Sequence, residues 1–429
     1  MRATSPNVPL PRRRGIANVR SGEPAIPGPC NLNVSIDTAT TRAKRLRLQI
    51  ARAVATVLRP FVVPVTAFKI TGLMPYSAAR TAPRILRAYS DTPLFTEPPP
   101  PSPSGKLIWS TSRSRRVSKT HVACMQDGIV LPTGAVFDSR GRFVEMASHD
   151  YDFLDDPKRK RRGFVLKPHR FLPGVRRFPN EVVALTASNQ AFYFHWIFDV
   201  LPRFWLAEQA GYGHGPFFVE AVLPFQRETL WVLGVTGPRR IDPRETGAIS
   251  ASNLITPCHS VAPGHIFPDW AVRFLRDRLL SEASEGRRSP AKRLYVSRAN
   301  AGHRRVINEP EIVSFLAGYG FEAIRTEELA FCEQVSLFRD AEIVIAPHGG
   351  GLANLVFCTP GAKVIELFPS ANIDLYYRLA TQLRLDYLFV KNGDSPGTFM
   401  GSGDYHVDLV ELKAVLDTTL SSKSGGPVH

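Results

Sequence analysis

Cysteine is scarce in this 429-residue chain: Cys30, Cys124, Cys258, Cys332 and Cys358 are odd in number, widely scattered and contain no CxxC pair. That spacing argues against a disulfide framework or a zinc site and fits a reducing compartment. No uninterrupted apolar stretch reaches the roughly 18 residues of a membrane span. Arg12, Arg13 and Arg14 are followed by no apolar run, so no signal peptide is expected. Acidic residues are nearly missing from the first 90 positions, which hold 15 Lys+Arg against 2 Asp+Glu, so +13 of the chain's net +16 sits there. The remaining body is almost neutral. A polyanion-seeking role would therefore belong to the N-terminal segment, and nucleic acid is not an expected partner. No G-x-S-x-G elbow accompanies the HGGG turn at His348, which argues against an esterase. The G-x-G-x-x-G of a dinucleotide site fails at Asn354, which argues against an oxidoreductase.

The length leaves room for two domains and a disordered segment, and 44% hydrophobic residues is ordinary for a globular protein. Residues 1–40 are rich in Pro, Arg and Gly without periodicity and read as disordered. From residue 42 to 59 a helical pattern places Leu46, Ile50, Val54, Val57 and Leu58 on one face and Arg45, Arg52 and Arg59 on the other. Such a helix either rests on an anionic membrane surface or packs against the body. Glu97 to Gly105, EPPPPSPSG, reads as a stiff linker. The expected organisation is a basic segment 1–104, a domain 105–285 and a second domain 286–429 whose final helix crosses back.

In the middle of the chain, Lys106 to Trp109, Gly134 to Phe137 and Glu181 to Thr186 read as strands. Asp150 and Asp152 form a DxD inside acidic loop sequence, beside the basic run Lys158 to Arg162. Two carboxylates are fewer ligands than a dedicated cation site supplies, so a solvated loop suffices and no metal is expected. A helix from Phe192 carries His195 and Asp199, four residues apart and hence on one face, with Arg203 continuing the line among apolar neighbours. The pair reads either as a general base or as a structural pair within an apolar helix.

From Arg293 strands and helices alternate, which predicts a doubly wound parallel sheet. Within it, Ala341 to Pro369 reads as strand, glycine turn, short helix and strand, a βαβ unit with parallel strands. His348, Gly349, Gly350 and Gly351 are expected at the strands' C-terminal ends, where backbone N–H groups can approach an anion, with Glu366 past the next strand for ribose hydroxyls. Arg298, Arg304 and Arg305 follow an earlier strand at the same edge, a grouping suited to a diphosphate.

Five blocks in order, H-x-x-x-D-x-L-P-R from His195, S-R-x-x-x-x-x-R-R-V-I-N-E from Ser297, E-Q-V-S-L-F from Glu333, H-G-G-G-L-A-N from His348 and V-I-E-L from Val364, resemble glycosyltransferase family 61, in its bacterial capsular-polysaccharide-like branch. The resemblance covers about residues 180–390. It implies an α/β fold with two Rossmann-like domains facing across a cleft, the GT-B architecture, behind the disordered basic N-terminal segment. It further implies an inverting, metal-independent transfer from a nucleotide-sugar to a glycan or glycolipid hydroxyl in surface polysaccharide assembly, with no cofactor. The expected place is the cytoplasm, with peripheral contact to the inner membrane face. In that scheme Arg298, Arg304 and Arg305 neutralise the diphosphate, the turn His348 to Gly351 holds phosphate, and Asn354 and Glu366 fix turn and nucleoside. Asp199 or His195 deprotonates the acceptor. The family's turn commonly reads H-G-A-G-L-T-N, so Gly350 and Ala353 depart from it. The rival is a non-catalytic nucleotide- or glycan-binding protein with a polyanion-binding tail.

Overall fold

The computed structural model describes residues 84–89, 94–96, 102, 113–115, 120–139, 144, 147–148, 175–187, 189–258, 267–281, 292–369, 374–392 and 403–421. The expected helix 42–59, the expected strand 106–109, the pair Asp150 and Asp152, and all of the linker 97–105 except Ser102 lie outside them. The strands are β1 (Arg84–Tyr89), β2 (Leu94–Thr96), β3 (Arg113–Arg115), β4 (Thr120–Val130), β5 (Val136–Phe137), β6 (Arg176–Ala184), β7 (Phe217–Phe218), β8 (Arg240–Ile241), β9 (Ile249–Cys258), β10 (Arg293–Val296), β11 (Glu322–Ile324), β12 (Ile343–Pro347), β13 (Lys363–Phe368) and β14 (Asp386–Lys391). Two large sheets, both within the compact unit 55–429, account for all but the β2–β3 hairpin.

The first sheet runs β1-β4-β9-β6-β7-β8, with β5 on β4. Its β9, β6, β7 and β8 pair in parallel, but β4 pairs antiparallel with both β1 and β9. The chain leaves β4 through a tight turn, where Gly134 adopts φ +84° and Leu131 N–H donates to Ala135 O, so no crossover helix makes the next strand parallel. This half is thus only partly Rossmann-like. It also begins earlier than the linker suggested, because β1 precedes residue 104 and still pairs with β4.

The second sheet is wholly parallel, in the order β11-β10-β12-β13-β14. Helices Glu309–Ala317, Phe331–Asp340 and Leu375–Gln382 make three of its crossovers, as the sequence predicts. The fourth, Gly350–Phe357, is a 3-10 helix. Eight residues cover about 16 Å in that form against about 12 Å as an α-helix, which suits the shortest crossover of the sheet. The chain moves outward from β10 to β11 and then returns to β12 on the other side. The order in which strands are added therefore reverses between β10 and β12, the crevice where open α/β sheets hold ligands.

One core joins the sheets. The same buried cluster contains Val183, Phe217 and Ile255 of the first, Phe204 and Phe274 of the helices between, and Val344, Phe357 and Phe389 of the second. Arg276, on the helix Asp269–Leu279, donates to the carbonyls of Val356 (2.6 Å) and Cys358 (2.8 Å), closing the C-terminal end of the 3-10 turn. Because the cluster is continuous, both sheets should unfold together. Phe357 is fully buried with its ring edge-on to Phe331, so Phe357→Ala should cost about 3–5 kcal/mol. In urea titrations monitored by tryptophan fluorescence and far-UV circular dichroism, the two transitions should shift together rather than separate.

Candidate active site

The reversal point between β10 and β12 is where charge and glycine meet. Arg298 lies two residues beyond β10, its backbone N–H held by Glu309 Oε1 at 3.1 Å, while Tyr295 donates to the same oxygen at 2.9 Å. Its Nη2 donates to the carbonyl of His303 (3.1 Å), and Arg304 Nη2 lies 3.2 Å from His303 Nε2. Burial and then the neighbouring Arg298 hold the Arg304 guanidinium below its ordinary pKa. Burial, then Arg304 and Arg298, depress that of His303. Among the described residues, the buried Nε–H groups of Arg298 and Arg304 find no hydrogen-bond partner. Two crowded cations with unsatisfied buried donors define a place for an anion.

Arg304 has φ +56°, which costs a non-glycine residue about 1–3 kcal/mol. The neighbouring backbone over-determines it. Arg305 N–H donates to Asp404 Oδ1 (2.9 Å), Tyr405 N–H to Arg305 O (3.0 Å) and Ile307 N–H to Tyr405 O (2.8 Å). Arg305 itself is engaged elsewhere. Its Nε and Nη2 both donate to Asp404 Oδ2, at 2.9 and 2.7 Å, a pair that raises the arginine's pKa and lowers the aspartate's. Of the three arginines expected on a diphosphate, Arg298 and Arg304 converge, while Arg305 ties its loop to the chain's C-terminal part.

The glycine turn follows β12 directly. Gly349 is required by proximity, not by its extended backbone: a Cβ there would lie 1.8 Å from Arg298 Nη1. At Gly351 it would meet Val296 Cγ1 at 2.9 Å, whereas at Gly350 the nearest atom is Tyr193 Cβ at 4.0 Å. Only the middle glycine has room for a methyl group. Tyr376 OH donates to Gly349 O (2.7 Å), and the 3-10 helix begins at Gly350, so the first N–H groups of the turn have no intrahelical partner.

His348 and Glu366 form a buried pair through His348 Nδ1 and Glu366 Oε1, and Tyr387 OH donates to Glu366 Oε2 at 2.6 Å. Glu366 does not lie past its strand. Leu367 and Phe368 continue β13, Glu366 pairs with Ala346 and Phe389, and its exposure is 0%. A carboxylate so enclosed has no surface for a nucleoside; in this structure it orients His348.

His195 closes the short helix Tyr193–His195, and Asp199 lies in the π-helical turn Trp196–Val200 that follows, a deformation common at functional sites. His195 Nδ1 is 2.6 Å from Asp199 Oδ2, with side-chain exposures of 29% and 2%. Asp199 is thus shielded behind the imidazole. An ionised Asp199 favours the tautomer with its proton on Nδ1. Arg203 is fully buried and donates to the carbonyls of Leu185 and Thr186, a structural role. Tyr193 OH donates to Asn354 Oδ1 (2.6 Å), and Phe194 packs edge-on against Tyr376 (6.2 Å), which in turn meets His348 (5.4 Å). The helix that carries His195 therefore abuts the glycine turn. Among the described residues, no group of three or more His, Cys, Asp or Glu side chains could hold a metal ion.

Tyr193, Tyr376, Tyr387 and Asp404 carry no sequence signal of their own. Gln334 and Glu309 lie inside the blocks E-Q-V-S-L-F and S-R-x-x-x-x-x-R-R-V-I-N-E, with no role assigned to either from sequence.

Residues 193–365 match the family model described as Glycosyltransferase 61. The chain is similar to the EGF domain-specific O-linked N-acetylglucosamine transferase of Gallus gallus, 23% identical over 42% of this chain and 36% of that one. It is 33% identical to the Drosophila melanogaster protein of the same name over 20% of this chain and 17% of that one. It is 28% identical to a beta-1,2-xylosyltransferase of Oryza sativa subsp. japonica over 24% and 22%. The chain thus spans about a third or less of the length of these relatives. The matched segment contains the His195 helix, the arginine loop and the glycine turn, and the matches support glycosyltransferase family 61.

The glycine geometry generates a paired expectation. Gly349→Ala should leave the fold intact, because the clashing atom is the end of a flexible side chain, but should displace Arg298 and weaken inorganic pyrophosphate binding tenfold or more by calorimetry. Gly350→Ala should bind pyrophosphate within twofold of the unaltered chain.

Proposed function

We propose that this chain is an inverting, metal-independent glycosyltransferase that moves a sugar from a nucleotide-sugar to a hydroxyl acceptor. The observation that carries it is the arginine pair Arg298 and Arg304 beside the glycine turn, with the helix that carries the His195–Asp199 pair packed against the same turn. Phosphate oxygens fit the orphaned Nε–H groups of Arg298 and Arg304, and the dyad fits removal of a proton from a hydroxyl.

In the proposed reaction His195 Nε2 takes the acceptor's proton as the acceptor oxygen attacks the anomeric carbon. The bond from that carbon to the diphosphate breaks on the opposite face, and its electron pair leaves with the diphosphate. Asp199 stabilises the imidazolium and holds the ring in orientation. Arg298, Arg304 and the turn's N–H groups stabilise the charge growing on the leaving group. Fixed guanidinium groups supply the charge that a cation supplies elsewhere. In the same reading the two sheets form the halves of a GT-B arrangement, the first facing the acceptor and the second the donor.

For the acceptor we propose a glycan or glycolipid hydroxyl in surface polysaccharide assembly, at the cytoplasmic face, with residues 42–59 touching an anionic membrane. The relatives named above include transferases specific, by name, for EGF domains, and a protein hydroxyl is therefore the second reading. Radiolabelled nucleotide-sugars offered with glycan, glycolipid and EGF-like acceptors separate the two.

Transfer should continue in EDTA. His195→Ala and Asp199→Asn should each lower kcat by about 10²–10⁴-fold while nucleotide-sugar binding persists; full activity in both variants would overturn the dyad. A pH dependence follows for donor binding. His303 is depressed in the free protein and therefore neutral at pH 7, whereas a bound diphosphate favours its protonated form. Binding then takes up a proton, so nucleotide-sugar affinity should rise as the pH falls from 8 to 6. His303→Gln should flatten that profile. Stability has the opposite sense: with the folded value below the unfolded one, the contribution of His303 is lost as the pH falls through the ordinary histidine range.

A further inference from the structure

The base and the glycine turn come from different sheets, and inversion needs them aligned to a fraction of an ångström. Apolar contacts such as Phe194 on Tyr376 hold surfaces together without fixing their register. A hydrogen bond does fix it. Tyr193 OH donates to Asn354 Oδ1 at 2.6 Å across 161 positions of sequence. We propose that Tyr193 is a positioning residue: through Asn354 it sets the distance between His195 and the glycine turn, and thereby the alignment of acceptor and donor.

The geometry on both sides supports this assignment. Tyr193 is two residues from His195 within one helical segment, so a displacement of its hydroxyl is a displacement of the base. Its ring stands edge-on to Phe225 at 5.1 Å, which leaves the hydroxyl end directed at the turn. Asn354 is fully buried, and its Nδ2 donates to Gln334 Oε1 (3.0 Å) and Gly351 O (3.3 Å). Gln334 Nε2 in turn donates to Leu329 O (3.2 Å). The chain of donors therefore has one direction: Gln334 orients the Asn354 amide, whose carbonyl is left facing Tyr193, which must donate. Burial pushes the tyrosine hydroxyl's pKa upward, so the donor stays protonated at any working pH. Because the same amide also donates to Gly351 O, the bond from Tyr193 ends on the turn itself.

This inference rests on the proposed transferase reading and concerns Tyr193, which acts in it through Asn354. Tyr193→Phe keeps the ring and removes only the hydroxyl. It should bind nucleotide-sugar within twofold of the unaltered chain, keep the acceptor KM within about threefold, and lower kcat for transfer by about 10–100-fold. Donor hydrolysis, which needs no aligned acceptor, should fall less, so the ratio of hydrolysis to transfer should rise. Gln334→Met frees the Asn354 amide from the other side and should lower kcat in the same sense, with the double variant no worse than Tyr193→Phe alone. An unchanged kcat in a folded Tyr193→Phe, or effects of the two substitutions that multiply, would overturn the role. Loss of donor binding in Tyr193→Phe would also overturn it, since that describes a donor ligand rather than a positioning residue. If the unaltered chain binds no nucleotide-sugar, the parent reading fails first and this one with it.

Discussion

Two guanidinium groups held close enough to repel each other are the constraint around which the second half of the molecule is arranged. Arg298 and Arg304 are brought together although each depresses the ionisation of its neighbourhood, and their inner Nε–H groups are buried with no partner among the described residues. Such an arrangement survives only if other contacts enforce it. Glu309 holds the backbone of Arg298, and the 404–407 segment holds Arg304 in a left-handed conformation. Gly349 supplies the space that the Arg298 guanidinium occupies. The third arginine of the motif, Arg305, contributes by locking the loop to Asp404.

A second layer keeps the turn's polar groups in place. Glu366, His348 and Tyr387 form a buried chain, while Tyr376 ties the carbonyl of Gly349. Breaking one member would leave the others buried and unsatisfied, a cost of about 1–3 kcal/mol for each neutral group and more for the carboxylate. The turn's backbone is therefore held from both sides where the anion would lie. On the other side the dyad occupies a π-turn, with its carboxylate hidden and its imidazole partly open.

Much of this was legible because it is local. The alternation of strands and helices after Arg293 follows from hydrophobic periodicity, and the parallel sheet follows from the alternation. The His195–Asp199 pair follows from helical spacing, which holds even though the turn is π-helical, because four residues still bring the two side chains together. Errors arose where a residue's role depended on where a strand stops. Glu366 reads as terminal, but Leu367 and Phe368 extend β13 by two positions and carry the carboxylate inside. Tyr193 sits in F-Y-F-H-W, where nothing separates a hydrogen-bonding tyrosine from core aromatics.

The sequence by itself determined the elements of the second half, their parallel pairing and the residue types gathered at one sheet edge, since these depend on spacing along the chain. Only the tertiary structure decided which groups meet. Arg305 finds Asp404 from 99 positions away, Asn354 finds Tyr193 from 161, and Asp199 is buried while His195 is not. Such pairings depend on how two sheets share one core, and no local pattern encodes that. The same reason explains the glycine turn: its three glycines look alike in sequence, but only the Arg298 guanidinium and Val296 side chain packed against it make the outer two necessary.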